Sequence, residues 1–433
     1  MSDSFEQAKR HFIDGNAHFE AGRYAEAQAS FEASLERLPG RPSTLTNLAA
    51  TRIKLGLAQA ALDALQPALA QEPSNIDAWC HRGVALAALA RPDEALACFD
   101  KALSIDANQP VACYHRGITL NLLHRHADAL GAFERLTALQ PDRAEAWFRH
   151  GQTLQALDRH AEALPSYDKA LALDATLAQA WSNRGGILKD LKRDGEAALC
   201  FEKAIEFGAD VQVNGYFLAA LRGRSAPAAA PKAYVESLFD QYADQFDAHL
   251  VQVLRYDTPR ILVDELRRLR PAPFRAALDL GCGTGLCAPL LKDATERIDG
   301  VDLSQRMLDK ARALGLYDRL VHGDVVEHLA ATDRRYDLVI SADVVPYIGD
   351  LEPLVGGVRR VLEPGGMFCF SAEAGVSAAT FDLQPSMRYA HAEPYLRELA
   401  SRHGFGVVQI THHPIREDQR QSIPGLYVLL SAD

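Results

Sequence analysis

Long apolar runs are missing from this 433-residue sequence. None approaches the roughly 18 residues of a membrane-crossing helix, so no membrane association is expected. Paired cysteines are missing as well. Cys80, Cys98, Cys113, Cys200, Cys282, Cys287 and Cys369 are scattered without a Cys-x-x-Cys pair or zinc-type spacing, which leaves reduced thiols and no metal site as the expectation. The opening stretch, Met1 to Arg10, carries acidic residues and no apolar segment behind its charges. It is unlike a secretory signal, and a cytoplasmic protein is expected. Basic charge is in deficit, with 46 Lys and Arg against 57 Asp and Glu for a net −11. A broad phosphate-binding surface, and with it a nucleic-acid partner, is therefore not expected. What remains, 48% hydrophobic and 24% charged residues, is the composition of a soluble globular chain. The length suits three ordinary domains or a repeat array followed by one catalytic domain.

A repeat is present in the first half. Alanine recurs every 34 residues at Ala27, Ala61, Ala95, Ala129, Ala163 and Ala197. Four positions after each stands a large side chain: Phe31, Leu65, Phe99, Phe133, Tyr167 and Phe201. Twelve positions before each stands a small residue: Gly15, Ala49, Gly83, Gly117, Gly151 and Gly185. Glycine inside a helix costs about 1 kcal/mol relative to alanine, so glycines at one phase imply close helix packing. Pro39, Pro73, Ala107, Pro141, Ala175 and Ala209 close the second helix of each unit. This pattern, over roughly residues 8–211, resembles the tetratricopeptide (TPR) family, whose period is 34. Trp79, Trp147 and Trp181 share one phase; they read as inter-repeat core, the other reading being a ligand-stacking ladder. The resemblance implies that Asn47, His81, His115, Arg149 and Asn183 face a concave groove where a polar ladder grips an extended peptide. Self-association and rigid spacing are the other uses of such an array.

Residues 222–232 are Pro- and Ala-rich without apolar period and read as a semi-stiff linker. The helical period returns along Val235, Leu238, Phe239, Tyr242, Phe246, Leu250 and Leu254. Beyond it, apolar runs at 276–280, 297–301, 319–322, 337–341, 367–371, 405–411 and 425–431 alternate with helical patterns, as in a doubly wound α/β sheet. No helical stripe separates the last two runs, so an antiparallel hairpin at the sheet edge is expected. The expected division is an all-α repeat solenoid over 1–221, the linker over 222–232, and a Rossmann-like α/β domain over 233–433.

The first of these strands runs into Asp279-Leu280-Gly281-Cys282-Gly283-Thr284-Gly285. Glycine suits a tight strand-to-helix turn that lets a ligand approach the backbone. Leu286 stands where a dinucleotide fingerprint has its third glycine. The segment resembles instead the first motif of class I S-adenosylmethionine-dependent methyltransferases, whose sheet has seven strands. Asp302, 21 residues after Gly281, is placed to bind ribose hydroxyls. The resemblance implies that Asp324, after Gly323, accepts the adenine amine, and that Leu303, Met307 and Val325 sandwich the ring. It implies that Asp279 holds the cofactor's amino group. Phe239 to Asp247 resembles a cofactor-covering helix, with Tyr242 as a contact. S-adenosyl-L-methionine is the expected cofactor.

Methyl transfer is an in-line displacement in which alignment contributes most of the effect, with a base near neutral pKa helping where a proton must leave. The catalytic candidates are Asp343 and Tyr347, after the fourth strand, and His391. Arg388 and Tyr389 are substrate-binding candidates, since Arg388-Tyr389-Ala390-His391 resembles a signature of TPR-fused methyltransferases. Asp343-Val-Val-Pro-Tyr347 departs from the Asp/Asn-Pro-Pro-Tyr of DNA amino-methyltransferases, and Ser371-Ala372-Glu373 lacks the Asp-Asn pair of metal-dependent catechol enzymes. The expected function is methyl transfer to an oxygen or nitrogen of a small molecule or peptide, with the repeats recruiting substrate or a protein partner. The alternative is a TPR scaffold whose methyltransferase-like domain senses the cofactor or is inactive.

Overall fold

Helix pairs with a small residue on one member and a bulky one on the other dominate the first half of the chain. The computed structural model describes residues 3–223, 226–244, 246, 256–271, 273–375, 380–418 and 421–432. Arg224 and Ser225 of the linker, Gln245 and Asp247 of the segment expected as a cofactor-covering helix, and Leu250 and Leu254 of the helical stripe lie outside the described residues. The helices are α1 (Asp3–Glu20), α2 (Tyr24–Arg37), α3 (Pro42–Lys54), α4 (Ala58–Gln71), α5 (Ile76–Ala88), α6 (Pro92–Ile105), α7 (Pro110–Leu122), α8 (His126–Leu139), α9 (Ala144–Ala156), α10 (His160–Leu173), α11 (Ala178–Asp190), α12 (Asp194–Glu206) and α13 (Val211–Arg222). The glycine phase is explained by contact. A Cβ added at Gly15, Gly83 or Gly117 would lie 2.6, 2.5 or 2.6 Å from the ring of Phe31, Phe99 or Phe133. The repeat with Ala49 at the small position carries Leu65 in place of a ring, and both are buried in one cluster. The knob and the hole thus change size together.

The three tryptophans behave alike: Trp79, Trp147 and Trp181 each donate the indole N–H to the carbonyl of Pro73, Pro141 or Ala175 at 2.9 Å. They pin inter-repeat turns, which is the structural reading of their shared phase. Three members of the polar ladder are bonded to neighbouring repeat residues outside it. Asn47 donates to Asn16, Arg149 pairs with Glu145, and Asn183 donates to the Tyr167 hydroxyl. His115 stacks on Phe99, and burial lowers its pKa to about 4.

The described residues form two compact units, Met1–Arg193 and Asp194–Asp433. The repeat period runs on through α12, whereas packing joins α12 and α13 to the second unit, so repeat boundary and packing boundary differ. In that second unit follow α14 (Lys232–Tyr242), α15 (Thr258–Leu269), β1 (Ala277–Leu280), α16 (Ala288–Leu291), β2 (Ile298–Asp302), α17 (Gln305–Ala313), β3 (Arg319–His322), α18 (Val325–Ala331) and β4 (Tyr336–Ser341). After these come α19 (Glu352–Val361), β5 (Leu362–Ala374), β6 (Phe381–Leu383), β7 (Tyr389–His391), α20 (Glu393–Arg402), β8 (Phe405–Asp418) and β9 (Gln421–Ala432).

Strands β3, β2, β1, β4 and β5 are parallel in that order, and β9 runs antiparallel on the far edge of β5 with β8 beyond it. Each of the seven expected strands is present, and the hairpin is β8 with β9. Two short strands were not expected from the sequence. β7 takes the edge of β5 that β4 leaves free beyond Ser341, pairing at Glu373 and Ala374, and β6 pairs with β7. Three-residue strands carry too little alternation to be read from sequence. Leu278, Leu280, Val301 and Val339 face one apolar layer, and Ala277, Ile298, Leu338 and Ile340 the other, so the sheet is covered on both faces and the loops at its C-terminal edge are left to carry function.

The linker composition suggests a spacer, yet its described part is bonded into the second unit. Gly349 and Asp350 donate N–H to the Ala228 carbonyl, Ala230 donates to Tyr347, and the Tyr389 hydroxyl donates to Pro227. The Tyr216 hydroxyl of α13 donates to the Met387 carbonyl at 2.6 Å, and the Tyr216 ring packs on Tyr234 and Tyr389.

Two tests follow from this packing. Gly117→Ala gains about 1 kcal/mol of helix propensity but overpacks Phe133, a cost of about 1–3 kcal/mol. Its thermal midpoint should fall, and adding Phe133→Leu should restore part of the loss. A chain beginning at Asp194 should unfold cooperatively near the temperature of the second unit. One beginning at Gly223 loses Tyr216 and should melt earlier by calorimetry.

Candidate active site

The glycine-rich turn follows β1. Gly281, at φ 68°, donates its N–H to the Val301 carbonyl, and a Cβ there would sit 2.0 Å from the Val344 side chain. Neither the backbone conformation nor the space admits a side chain. At Gly283, φ 53°, a Cβ would meet nothing nearer than the Phe246 ring at 4.0 Å. The backbone there borders open space that a side chain would fill, as a cofactor cradle requires. Cys282 between them is buried, and burial holds its thiol protonated. Gly285 closes the turn against Leu314 and Tyr317.

Parallel pairing of β2 with β1 puts Val301 beside Leu280 and Asp302 one step beyond. The Asp302 carboxylate accepts the Gly283 N–H on Oδ2 and the Ser304 N–H on Oδ1, both at 2.8 Å. Burial raises its pKa, and the two backbone donors oppose that. Two oriented oxygens with lone pairs to spare suit a ribose diol. Ser304 in turn donates to Asp240 at 2.5 Å, tying α14 to the start of α17. The other end of α14 is held by Lys232, 3.7 Å from Asp324 and 2.5 Å from Glu327. Asp324 caps α18, with Oδ1 accepting from Val326 and Glu327 at 3.0 and 2.9 Å. Met307 and Val325 are buried, and Leu303 is partly buried beside Tyr347 and Phe239. Gly323 donates its N–H to the Asp302 carbonyl, linking the two acidic loops. Tyr242 packs edge-on against Phe246 at 5.7 Å, and Phe246 in turn reaches the Gly283 turn. Within α14, Val235 turns inward while Leu238 remains exposed.

Asp279 is 1% exposed and accepts the Tyr317 hydroxyl at 2.7 Å, and burial raises its pKa to about 7. Tyr317 is absent from the sequence-derived candidates. The signal for it was Gly300 inside β2, where a Cβ would lie 2.9 Å from the Tyr317 ring, since glycine within a strand marks a close approach.

At the ends of β4 and β5 lies a cluster of charges. Asp343 adopts φ 61° and donates its N–H to Ser371 Oγ at 2.9 Å. Arg416 of β8 reaches both Asp343 oxygens, at 3.2 and 3.3 Å, and also pairs with Glu373. Arg388 lies 3.7 Å from Glu373 and donates to the Tyr347 hydroxyl at 3.2 Å. Burial pushes Asp343 up to about 6, opposed by Arg388, and raises Tyr347. Glu373 and Arg416 were not among the candidates. Their partners are 43 and 73 residues apart in sequence, and a bulge between Pro414 and Arg416 turns both Ile415 and Arg416 inward, which breaks the alternation a reader would follow.

His391 is placed differently. It is fully buried on β7, Nε2 pairs with the Gly349 carbonyl at 3.0 Å, and Nδ1 has no hydrogen-bond partner among the described residues. Phe381 and Tyr395 flank the ring, and burial lowers its pKa to about 4. Its contacts among the described residues do not include Asp343 or Tyr347. Tyr389 is likewise fully buried, with its hydroxyl on the linker.

Asp302→Ala should weaken cofactor binding by roughly 1.5–3 kcal/mol, about 10- to 150-fold in Kd by calorimetry. Asp279 has a raised pKa in the folded chain, so the stability it contributes is present near pH 4 and lost as pH rises through about 7. Asp279→Asn should flatten that part of the midpoint-versus-pH curve and raise the midpoint of the cofactor-free protein at about pH 8, while weakening cofactor binding.

A methyltransferase-domain family model matches residues 278–370, and tetratricopeptide-repeat models match 18–79, 76–109, 123–178 and 178–207. A malonyl-[acyl-carrier protein] O-methyltransferase from Pseudescherichia vulneris is 32% identical over 34% of this chain and 56% of its own length. Methyltransferase-like protein 27 from Homo sapiens is 32% identical over 32% of this chain and 58% of its own. The chain thus spans little more than half the length of these two curated relatives. Among solved structures, magnesium protoporphyrin IX methyltransferase from Synechocystis with bound SAH aligns at 17% identity and TM-score 0.37, over 47% of this chain and all of that one. A thermophilic TPR protein of Thermus thermophilus aligns at 24% identity and TM-score 0.36, over 42% of this chain and 98% of that one. The chain thus carries tetratricopeptide repeats followed by a methyltransferase domain, similar to methyltransferases of the class I, S-adenosylmethionine-dependent type.

Proposed function

We propose that the protein transfers a methyl group from S-adenosylmethionine to an oxygen or nitrogen of a small molecule or peptide. The observation that carries this reading is that Gly281, in the cofactor turn, packs on Val344, the residue next to Asp343 in the charged cluster. Cofactor residues and ionised acceptor-side residues are thereby neighbours. The bound cofactor supplies a methyl group on a positively charged sulfur. Asp302 holds the ribose, Asp324 and the apolar pair Met307 and Val325 hold the adenine, and Asp279 holds the amino group. Asp343 and Tyr347 orient the acceptor together with Arg388. His391 acts through the 348–349 backbone as a positioning residue, since one ring nitrogen is committed to Gly349. Tyr389 secures the linker beside the acceptor side. The names of the O-methyltransferase relatives favour oxygen as the acceptor atom.

The repeats, over 1–221, recruit the substrate or a protein partner, and the domain over 233–433 performs the transfer. Among the described residues no helix is long and apolar enough to cross a membrane, and the proposed site of action is the cytoplasm. Calorimetric titration with S-adenosylmethionine and with S-adenosylhomocysteine tests the reading. Micromolar binding of both is expected. Failure of the folded protein to bind either removes the enzyme and leaves a scaffold.

A further inference from the structure

The four charged groups at the ends of β4 and β5 are not equally committed. Arg416 is 4% exposed and spends its guanidinium on Asp343 and Glu373. Arg388 is 23% exposed, and its nearest carboxylate, Glu373 at 3.7 Å, is already held by Arg416. The Arg388 guanidinium lies over the Tyr347 ring, 5.6 Å from its centre, and one of its N–H groups donates to the Tyr347 hydroxyl. It is the most accessible of the four, and a guanidinium fork matches a carboxylate.

We propose that the methyl acceptor is a carboxylate held by Arg388; the proposal rests on the transferase reading above. Charge supports it. Within the cluster Arg388 and Arg416 balance Asp343 and Glu373, so an acceptor carboxylate meets no net negative charge there and is attracted by the sulfonium it attacks. The step balances without a base. One carboxylate oxygen donates a lone pair to the methyl carbon, the carbon–sulfur bond breaks with its pair passing to sulfur, and a neutral methyl ester and thioether result. Two charges annihilate, which a buried site favours over water. An amine or hydroxyl acceptor has a proton to lose, and the described groups near Arg388 are ill placed to take it. Asp343 and Glu373 are tied to Arg416, burial keeps Tyr347 protonated, and His391 is bonded to Gly349 and enclosed by Phe381 and Tyr395.

The test uses the full chain saturated with S-adenosylhomocysteine. Short-chain mono- and dicarboxylates and acidic peptides are titrated by calorimetry beside their amides and amines of matching length. Carboxylates should bind and amines should not. Arg388→Gln should weaken carboxylate binding about tenfold or more while leaving cofactor affinity unchanged. With methyl-tritiated cofactor, transfer to the binding carboxylates should yield label that alkali releases as methanol, at a rate flat above about pH 6 because the acceptor is already ionised. Alkali-stable transfer to the amines, or no carboxylate binding, or Arg388→Gln binding carboxylates as before, overturns the proposal. If S-adenosylhomocysteine itself fails to bind, the transferase reading fails instead.

Discussion

The register of β2 against β1 is the constraint on which the cofactor side rests. It lets the Val301 carbonyl take the Gly281 and Cys282 amides, and it brings Asp302 to the Gly283 amide. From there the dependence runs outward. Asp302 orients Ser304, Ser304 caps α17 and holds Asp240, and Asp240 anchors α14. A slip of one residue in β2 would turn every side chain of the strand to the opposite face, and each of these contacts would be lost together. A strand pair with buried faces holds its register tightly, which is why the sheet's apolar layers matter to a polar site.

The charged cluster at the ends of β4 and β5 obeys a different rule. Its ions are enclosed, and taking charges from water costs several kcal/mol per ion before pairing offsets it. Apolar side chains would have filled the space at lower cost. The cluster is therefore not a source of stability in proportion to its number of ion pairs. Its geometry carries local strain of the same kind, with Asp343 and Met387 both in the left-handed region at φ 61° and 64°, on either side of the Tyr347–Arg388 contact. Such conformations persist where surrounding structure over-determines them. Here the Ser371 hydroxyl and the Tyr216 hydroxyl supply that support.

Tyr216 also shows how the end of the repeat array is used. A Pro- and Ala-rich stretch has the composition of a spacer, but composition reports only what the chain does when nothing accepts its backbone bonds. The carbonyls of Pro227 and Ala228 find donors in Tyr389, Gly349 and Asp350. The segment becomes part of the wall beside Tyr347. The helix α12 follows the repeat period in sequence and the second unit in packing.

Local spacing along the chain was sufficient for much of this protein. The 34-residue period, the glycine-rich turn, the strand sequence and the positions of Asp302 and Asp324 are each written within a few dozen residues, because helix pairing, turns and strand ends are short-range consequences of residue type. His391 shows the limit: its residue type suits a base, but burial and the Gly349 bond decide what it can do, and burial is a property of the assembled fold. Tyr317, Glu373 and Arg416 show it again, since their partners arrive from distant strands and, for Arg416, through a bulge that reverses the expected facing. Which charges meet is set by which strand edges pair, and that long-range choice was made by the tertiary structure alone.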